Sequence, residues 1–231
     1  MEFLRGKRFF VWDFDGSFCD TERLHYEAYR DAFREFGHDL PEAGYYLDFT
    51  HLGDGARKVI ERAALPLDPE VVLLAKKRHY MRIIAAAPLP AFPGLDEILA
   101  ALNRRGPIAI ASNSPRDEID LILDRAGLSH WPNLVVGRDA SLRKKPFPDI
   151  FLRAFELLGA RADEVLVFED SERGLEAAAA AGADSVLLRT PFNADLTFTA
   201  PRVLECTHAE LAAVVAREGL GAMGDSARVD G

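Results

Sequence analysis

The sequence predicts an α/β protein, a doubly wound, mostly parallel sheet with an all-helical segment inserted after the first strand. Three observations predict it. Short, unbroken apolar runs alternate with stretches of helical period. Those runs lack the alternation of a sheet that faces water on one side. One interval, residues 21–90, carries helical pattern and no convincing strand. Unbroken apolar strands suit a sheet covered on both faces, and strands alternating with helices imply right-handed crossovers and parallel order.

The elements follow in order. Phe9–Trp12 reads as a buried strand ending at Asp13. Residues 22–36 place Tyr29, Ala32, Phe33 and Phe36 on one helical face, and helical stretches 55–64 and 69–86 follow, parted by Leu65-Pro66-Leu67-Asp68. The proline-rich run from Pro88 to Gly94 makes a return hinge. A helix over 94–105 presents Leu95, Ile98, Leu99 and Leu102. Ile108–Ala111 is the second strand, and the helix over 116–126 stops at Gly127. Leu134–Val136, 165–168 and 186–188 are further strands, with helices over 149–158 and 172–181 between them. The expected division is a core of residues 1–20 and 91–218, a helical cap of residues 21–90, and a fraying tail over 219–231.

The chain has 231 residues, 48% hydrophobic and 28% charged, with a formal net charge of −9. That content supports a packed core and argues against a disordered chain. An acidic balance disfavours nucleic-acid and anionic-membrane partners, which need a cationic surface. Cys19 and Cys206 are the two cysteines and lack metal-ligand spacing, so reduced thiols in the cytoplasm are expected. No run approaches a membrane span, and the first residues lack the apolar stretch of a secretion signal. A monomer or weak dimer is expected.

Polar residues gather at the carboxyl ends of the proposed strands, the ligand-binding edge of an open α/β sheet. The first strand ends Asp13-Phe14-Asp15-Gly16-Ser17, the second Ser112-Asn113-Ser114 and the fourth Glu169-Asp170-Ser171, while Lys145 sits in Lys144-Lys145-Pro146. Residues two apart in extended backbone point the same way, so Asp13 and Asp15 can face one pocket. A divalent cation would relieve their repulsion, and hard oxygen ligands suit Mg²⁺. Each feature also has a plain structural explanation, as turn former, helix cap or solvated charge. Unrelated decoration at successive strand ends is the poorer account. Together they supply a nucleophile, an acid, phosphate donors, a cation and metal ligands.

These motifs, in this order, resemble those of the haloacid dehalogenase superfamily, in its branch with a helical cap after the first strand of a Rossmann-like core. Asp13-Phe14-Asp15-Gly16-Ser17 matches the first motif, Ser112-Asn113 the second, Lys145-Pro146 the third and Glu169-Asp170 the fourth. The resemblance implies that Asp13 attacks phosphorus to form an aspartyl-phosphate, with Asp15 as acid and then base. It implies Mg²⁺ at Asp13, the Asp15 backbone carbonyl and Asp170, with Glu169 nearby, and phosphoryl oxygens held by Ser112, Asn113 and Lys145. Ser17 replaces the family's usual threonine, and Lys144 stands where a glycine is common. The second aspartate argues against a dehalogenase.

The nearest resemblance is to sugar-phosphate phosphatases and β-phosphoglucomutases. His25 occupies a linker position like that of the mutase histidine, and Pro115 replaces the mutase's lysine after the second motif. The expected activity is hydrolysis of a small phosphorylated metabolite, with a phosphosugar mutase as the alternative and a silent phosphate- or protein-binding module as the third reading. The segment Leu52-Gly53-Asp54-Gly55-Ala56-Arg57 resembles the family's cap loop, and Gly53 and Arg57 are its expected substrate contacts.

Overall fold

The computed structural model describes residues 2–51, 55–86, 89 and 91–224. Six strands form one parallel sheet in the order β3-β2-β1-β4-β5-β6. They are β1 (Phe9–Trp12), β2 (Ile108–Ala111), β3 (Leu134–Val136), β4 (Val165–Glu169), β5 (Asp184–Arg189) and β6 (Leu204–Thr207). β1 pairs with β2 on one side and β4 on the other, Val11 opposite both Ala109 and Val167. The chain order reverses across β1, which opens a crevice at the carboxyl ends of the central strands.

Side-chain alternation divides the core in two. Phe10, Trp12, Ile108, Ile110, Leu166 and Phe168 face one layer, covered by α5 (Leu95–Asn103), α6 (Arg116–Ala126) and α9 (His208–Gly224). Val11, Ala109, Ala111, Val165 and Val167 face the other, under α7 (Asp149–Leu158) and α8 (Glu172–Ala180). The small alanines of β2 leave room for Phe151 and Phe155 of α7. Both faces are covered, so β1, β2 and β4 could not alternate with polar residues.

Between β1 and α5 lie α1 (Glu22–Glu35), α2 (Glu42–Tyr45), a π turn (Tyr46–His51), α3 (Gly55–Arg62) and α4 (Pro69–Ala86). Tyr26, Phe33, Tyr45, Val59 and Val72 make a third apolar cluster there. α4 joins it to the sheet, since Val72 and Ala75 belong to the third cluster and Tyr80 and Ile84 to the first.

β6 comes in addition to the five strands that the apolar runs predict, and it is an edge strand. In Leu204–Thr207 only Cys206 is buried, and Glu205 pairs with Arg189 and Arg202 at 2.7 Å each. Half-exposed edge strands carry charges that hide them from a search for apolar runs. α9 is a further element that the apolar pattern does not predict, and a capping box opens it. Thr207 Oγ1 accepts from the Glu210 amide at 3.2 Å, and Glu210 accepts from the Thr207 amide at 2.8 Å. α9 covers the first part of the expected tail, and residues 225–231 lie outside the described residues. Among the described residues no helix is long and apolar enough to cross a membrane.

Candidate active site

Four segments separated in sequence meet at the carboxyl ends of β2, β1 and β4. The Asp13 amide donates to the Phe168 carbonyl at 2.9 Å, so the sheet ladder fixes Asp13 just past β1. The chain then turns at Gly16, φ +77°, where a Cβ would stand 2.1 Å from Asp170 Oδ2. Only glycine meets both demands. At the end of β4, Glu169 Oε2 accepts from Ser171 Oγ at 2.9 Å and from the Asp170 and Ser171 amides at 3.2 and 3.3 Å. Ser171 caps α8 by accepting from the Gly174 amide at 3.1 Å. Asn193 donates to the carbonyls of Asp170 and Leu188 at 2.8 and 2.9 Å, fixing the backbone that carries Asp170.

Lys145 ties the segments together. Its ammonium donates to Asp13 Oδ1, to Glu169 Oε1 at 2.6 Å and to the Ala111 carbonyl at 3.0 Å. Asn113 Oδ1 accepts from its amide at 3.2 Å, and the Arg173 guanidinium donates to its carbonyl. Lys145 is buried, whereas Lys144 is exposed at the rim of the same cavity.

Asp15 has its own set of partners. Thr21 Oγ1 and Ser114 Oγ each donate to it at 2.5 Å, and His25 Nε2 lies 3.0 Å from Oδ1. Lys76 Nζ of α4 lies 2.9 Å from His25 Nδ1, and the imidazole stacks on Tyr80 at 4.1 Å. The open cavity between these groups measures about 330 Å³. Asp13, Asp15, Ser112, Asn113, Lys145 and Asp170 line it from the sheet, and Glu22, His25, Tyr29, Tyr45, Phe49 and Lys76 from the helical segment.

The environments push the two aspartates apart. Burial raises the Asp13 carboxyl well above its ordinary range, Lys145 pulls it back, and Glu169 and Asp15 add repulsion. Burial acts on Asp15 in the same direction, but His25 and the Ser114 and Thr21 hydroxyls outweigh it and hold Asp15 below the usual carboxylate range. Burial disfavours the Lys145 charge, yet Asp13 and Glu169 overcome this and raise its pKa. Asp170 is raised well above the ordinary range by burial and by Glu169 and Asp13. Groups so perturbed at one pocket mark a functional site.

Asp13, Glu169 and Asp170 each offer an oxygen, all within 4.8 Å of one another. The three carboxylates set hard oxygens side by side in a buried place, and Asp13 and Glu169 share the Lys145 ammonium. That donor type fits a hard divalent cation.

A family model described as haloacid dehalogenase-like hydrolase matches residues 7–182. The chain belongs to that family. It is 31% identical over 205 residues to protein CbbY (plasmid) of Cupriavidus necator, covering 81% of this chain and 80% of that one. It is 31% identical over 183 residues to the fructose-1-phosphate phosphatase YqaB of Escherichia coli, covering 78% and 95%. The crystal structure of CbbY from Rhodobacter sphaeroides in complex with phosphate has the same fold, with a TM-score of 0.74 at 24% identity over 89% of this chain and 96% of that one. The protein is a phosphatase of the haloacid dehalogenase-like type.

For this hydrolase the structure brings together Asp13, Asp15, Ser112, Asn113, Lys145, Glu169, Asp170 and His25. Arg57 stands apart, its guanidinium on Glu70 at 2.8 Å and more than half exposed. Gly53 lies outside the described residues. Arg116 pairs with Asp120 and donates to the Val135 carbonyl, both at 2.8 Å, which gives it a place in holding α6 to β3. Burial raises the Cys19 thiol, and Asp15 and Asp20 add to it, so it is no nucleophile.

The structure adds Ser114, Thr21, Lys76 and Asn193 to the site. Ser114 was legible, since Ser112 and Ser114 stand two apart at a strand end. Lys76 sits in Lys76-Lys77-Arg78, where nothing in sequence separates an inward cation from a solvated one.

Proposed function

We propose that this phosphatase hydrolyses a small phosphorylated metabolite, of sugar-phosphate type, through an aspartyl-phosphate on Asp13 and with Mg²⁺ as cofactor. The observation that carries the reading is the shared cavity, in which a buried carboxylate, a second carboxylate held in a different protonation range, and a buried ammonium converge. The carboxylate of Asp13 attacks phosphorus and the ester P–O bond breaks, while Asp15, which takes up a proton from solvent as the substrate binds, passes that proton to the departing oxygen. Water then attacks the aspartyl-phosphate, Asp15 takes the proton, and inorganic phosphate leaves as Asp13 is regenerated. Splitting the displacement in two lowers each barrier. Asp15 at rest is ionised, the form the second step uses.

Lys145, Ser112 and Asn113 hold the phosphoryl oxygens and offset the charge that gathers on them. Asp13, Asp170 and the Asp15 carbonyl, beside Glu169, would hold a magnesium ion, which would supply the remaining neutralisation. Residues 21–90 act as a cap on a core of residues 1–20 and 91–218, and closure excludes water until the phosphoenzyme forms. The setting is cytoplasmic, with a metabolite rather than a nucleic acid or membrane as partner. The name of the Escherichia coli relative supports a sugar phosphate as substrate.

Phosphate release from a panel of phosphometabolites, with Mg²⁺ and with a chelator, tests this. Turnover should vanish in Asp13→Asn and on chelation. Turnover that survives Asp13→Asn ends the reading. Conversion of β-glucose 1-phosphate to glucose 6-phosphate, in place of free phosphate, would assign a mutase.

A further inference from the structure

The helical side of the cavity carries three aromatic rings beside the polar Glu22, His25 and Lys76. Tyr29 of α1, Tyr45 of α2 and Phe49 of the π turn line the cavity that holds Asp13. Their rings form one cluster: Tyr29 and Phe49 at 4.6 Å, Tyr45 and Phe49 stacked at 4.9 Å and 25°, and Tyr29 and Tyr45 at 6.0 Å. Tyr26 backs Tyr45 at 5.4 Å. Tyr45 is buried, so core filling accounts for it. Tyr29 and Phe49 pack against the same cluster but stay partly exposed where they border the cavity, so each ring also presents surface to it.

A phosphoryl group and its cation need polar partners, and the sheet side supplies them. An aromatic wall serves a different part of the ligand. Open-chain polyols and carboxylates stay hydrated and gain little from a ring face, whereas a cyclic group with an apolar face gains contact area and stacking. We propose that Tyr29 and Phe49 are specificity-determining residues that select phosphate esters with a ring in the leaving group over open-chain esters. The shared chemistry is the flat apolar face, either the C–H face of a sugar ring or the π face of a base. This inference rests on the reading of Asp13 as nucleophile in the same cavity.

The test compares KM and kcat of the full chain with Mg²⁺ on glucose 1-phosphate, adenosine 5′-monophosphate, glycerol 3-phosphate and phosphoglycolate. Acetyl phosphate serves as a ring-free reference for the phosphoryl chemistry. Ring esters should have the lower KM, and the sugar and nucleotide arms tell which face is preferred. A ring contact of this kind is worth roughly threefold to tenfold in affinity. Tyr29→Leu and Phe49→Leu should therefore narrow the ring-to-open-chain ratio of kcat/KM by about that factor, mainly through KM, while Tyr29→Phe preserves it. If one leucine variant fails to fold, the other and the wild-type ratio still decide. Equal or better use of open-chain esters by the wild type overturns the inference, as does an equal loss on every substrate in the leucine variants. Absence of Asp13-dependent turnover on acetyl phosphate overturns the underlying reading instead.

Discussion

Replacing His208 with glutamine should make the protein less sensitive to acid. His208 opens α9, is buried, and stacks on Phe92 at 3.9 Å. Its Nε2 lies 2.7 Å from the Ser17 carbonyl, so the neutral ring donates to the loop that carries Asp13 and Asp15. Burial lowers its pKa from 6.5 to about 4, against a smaller upward pull from the Ser17 contact. The sign follows from proton counting. Between pH 6.5 and about 4 the unfolded chain binds a proton at this site and the folded chain does not, so stability falls as pH falls through that window. With about 1.36 kcal/mol for each unit of separation, the full effect is about 3 kcal/mol, and about 2 kcal/mol of it develops between pH 7 and pH 4.5. The raised carboxyls of Asp13 and Asp170 act in the opposite sense. The quantity to read is therefore the difference between wild type and His208→Gln in urea denaturation at the two pH values. That difference should shrink by about 2 kcal/mol from pH 7 to pH 4.5. A difference that does not change with pH would refute the assignment of a neutral, buried imidazole at this place.

Three further outcomes are expected. Asp15→Asn should lower kcat on sugar phosphates by roughly 10²–10⁴-fold, the usual worth of acid–base help, and a loss under tenfold in steady-state assays would deny it that role. Mg²⁺ at a hundred times its dissociation constant should stabilise the wild type by about 2.7 kcal/mol in thermal melts, and Asp170→Asn should remove most of that gain. Gly16→Ala places a methyl 2.1 Å from Asp170 Oδ2 at a φ of +77°. The backbone conformation alone costs about 1–2 kcal/mol, and displacement of Asp170 should weaken Mg²⁺ binding in calorimetric titration; unaltered affinity would show that Asp170 does not need its present position.

Much of this was legible in the chain itself. β1, β2 and β4 are covered on both faces, and that burial writes itself as unbroken apolar runs. Asp13, Ser112 and Glu169–Asp170 stand directly after or at the end of those runs, so finding the strands also found the site. β6 was not legible, because a half-exposed edge strand carries Glu205 where an inner strand would carry an aliphatic residue. α9 left a readable capping box at Thr207 and Glu210.

Local pattern therefore determined the α/β class, the inner strands and the residues at their ends, since those depend on side-chain periodicity over a few positions. The Lys145-Pro146 motif already favoured Lys145 over Lys144, and the tertiary structure carries it to Asp13 across a separation of 132 residues. Only the tertiary structure decided that Lys76 rather than Lys77 meets His25, and that Arg57 pairs with Glu70 instead of facing the cavity. A charged side chain reads the same in sequence whether solvated or buried, and the difference is set by what distant segments pack around it.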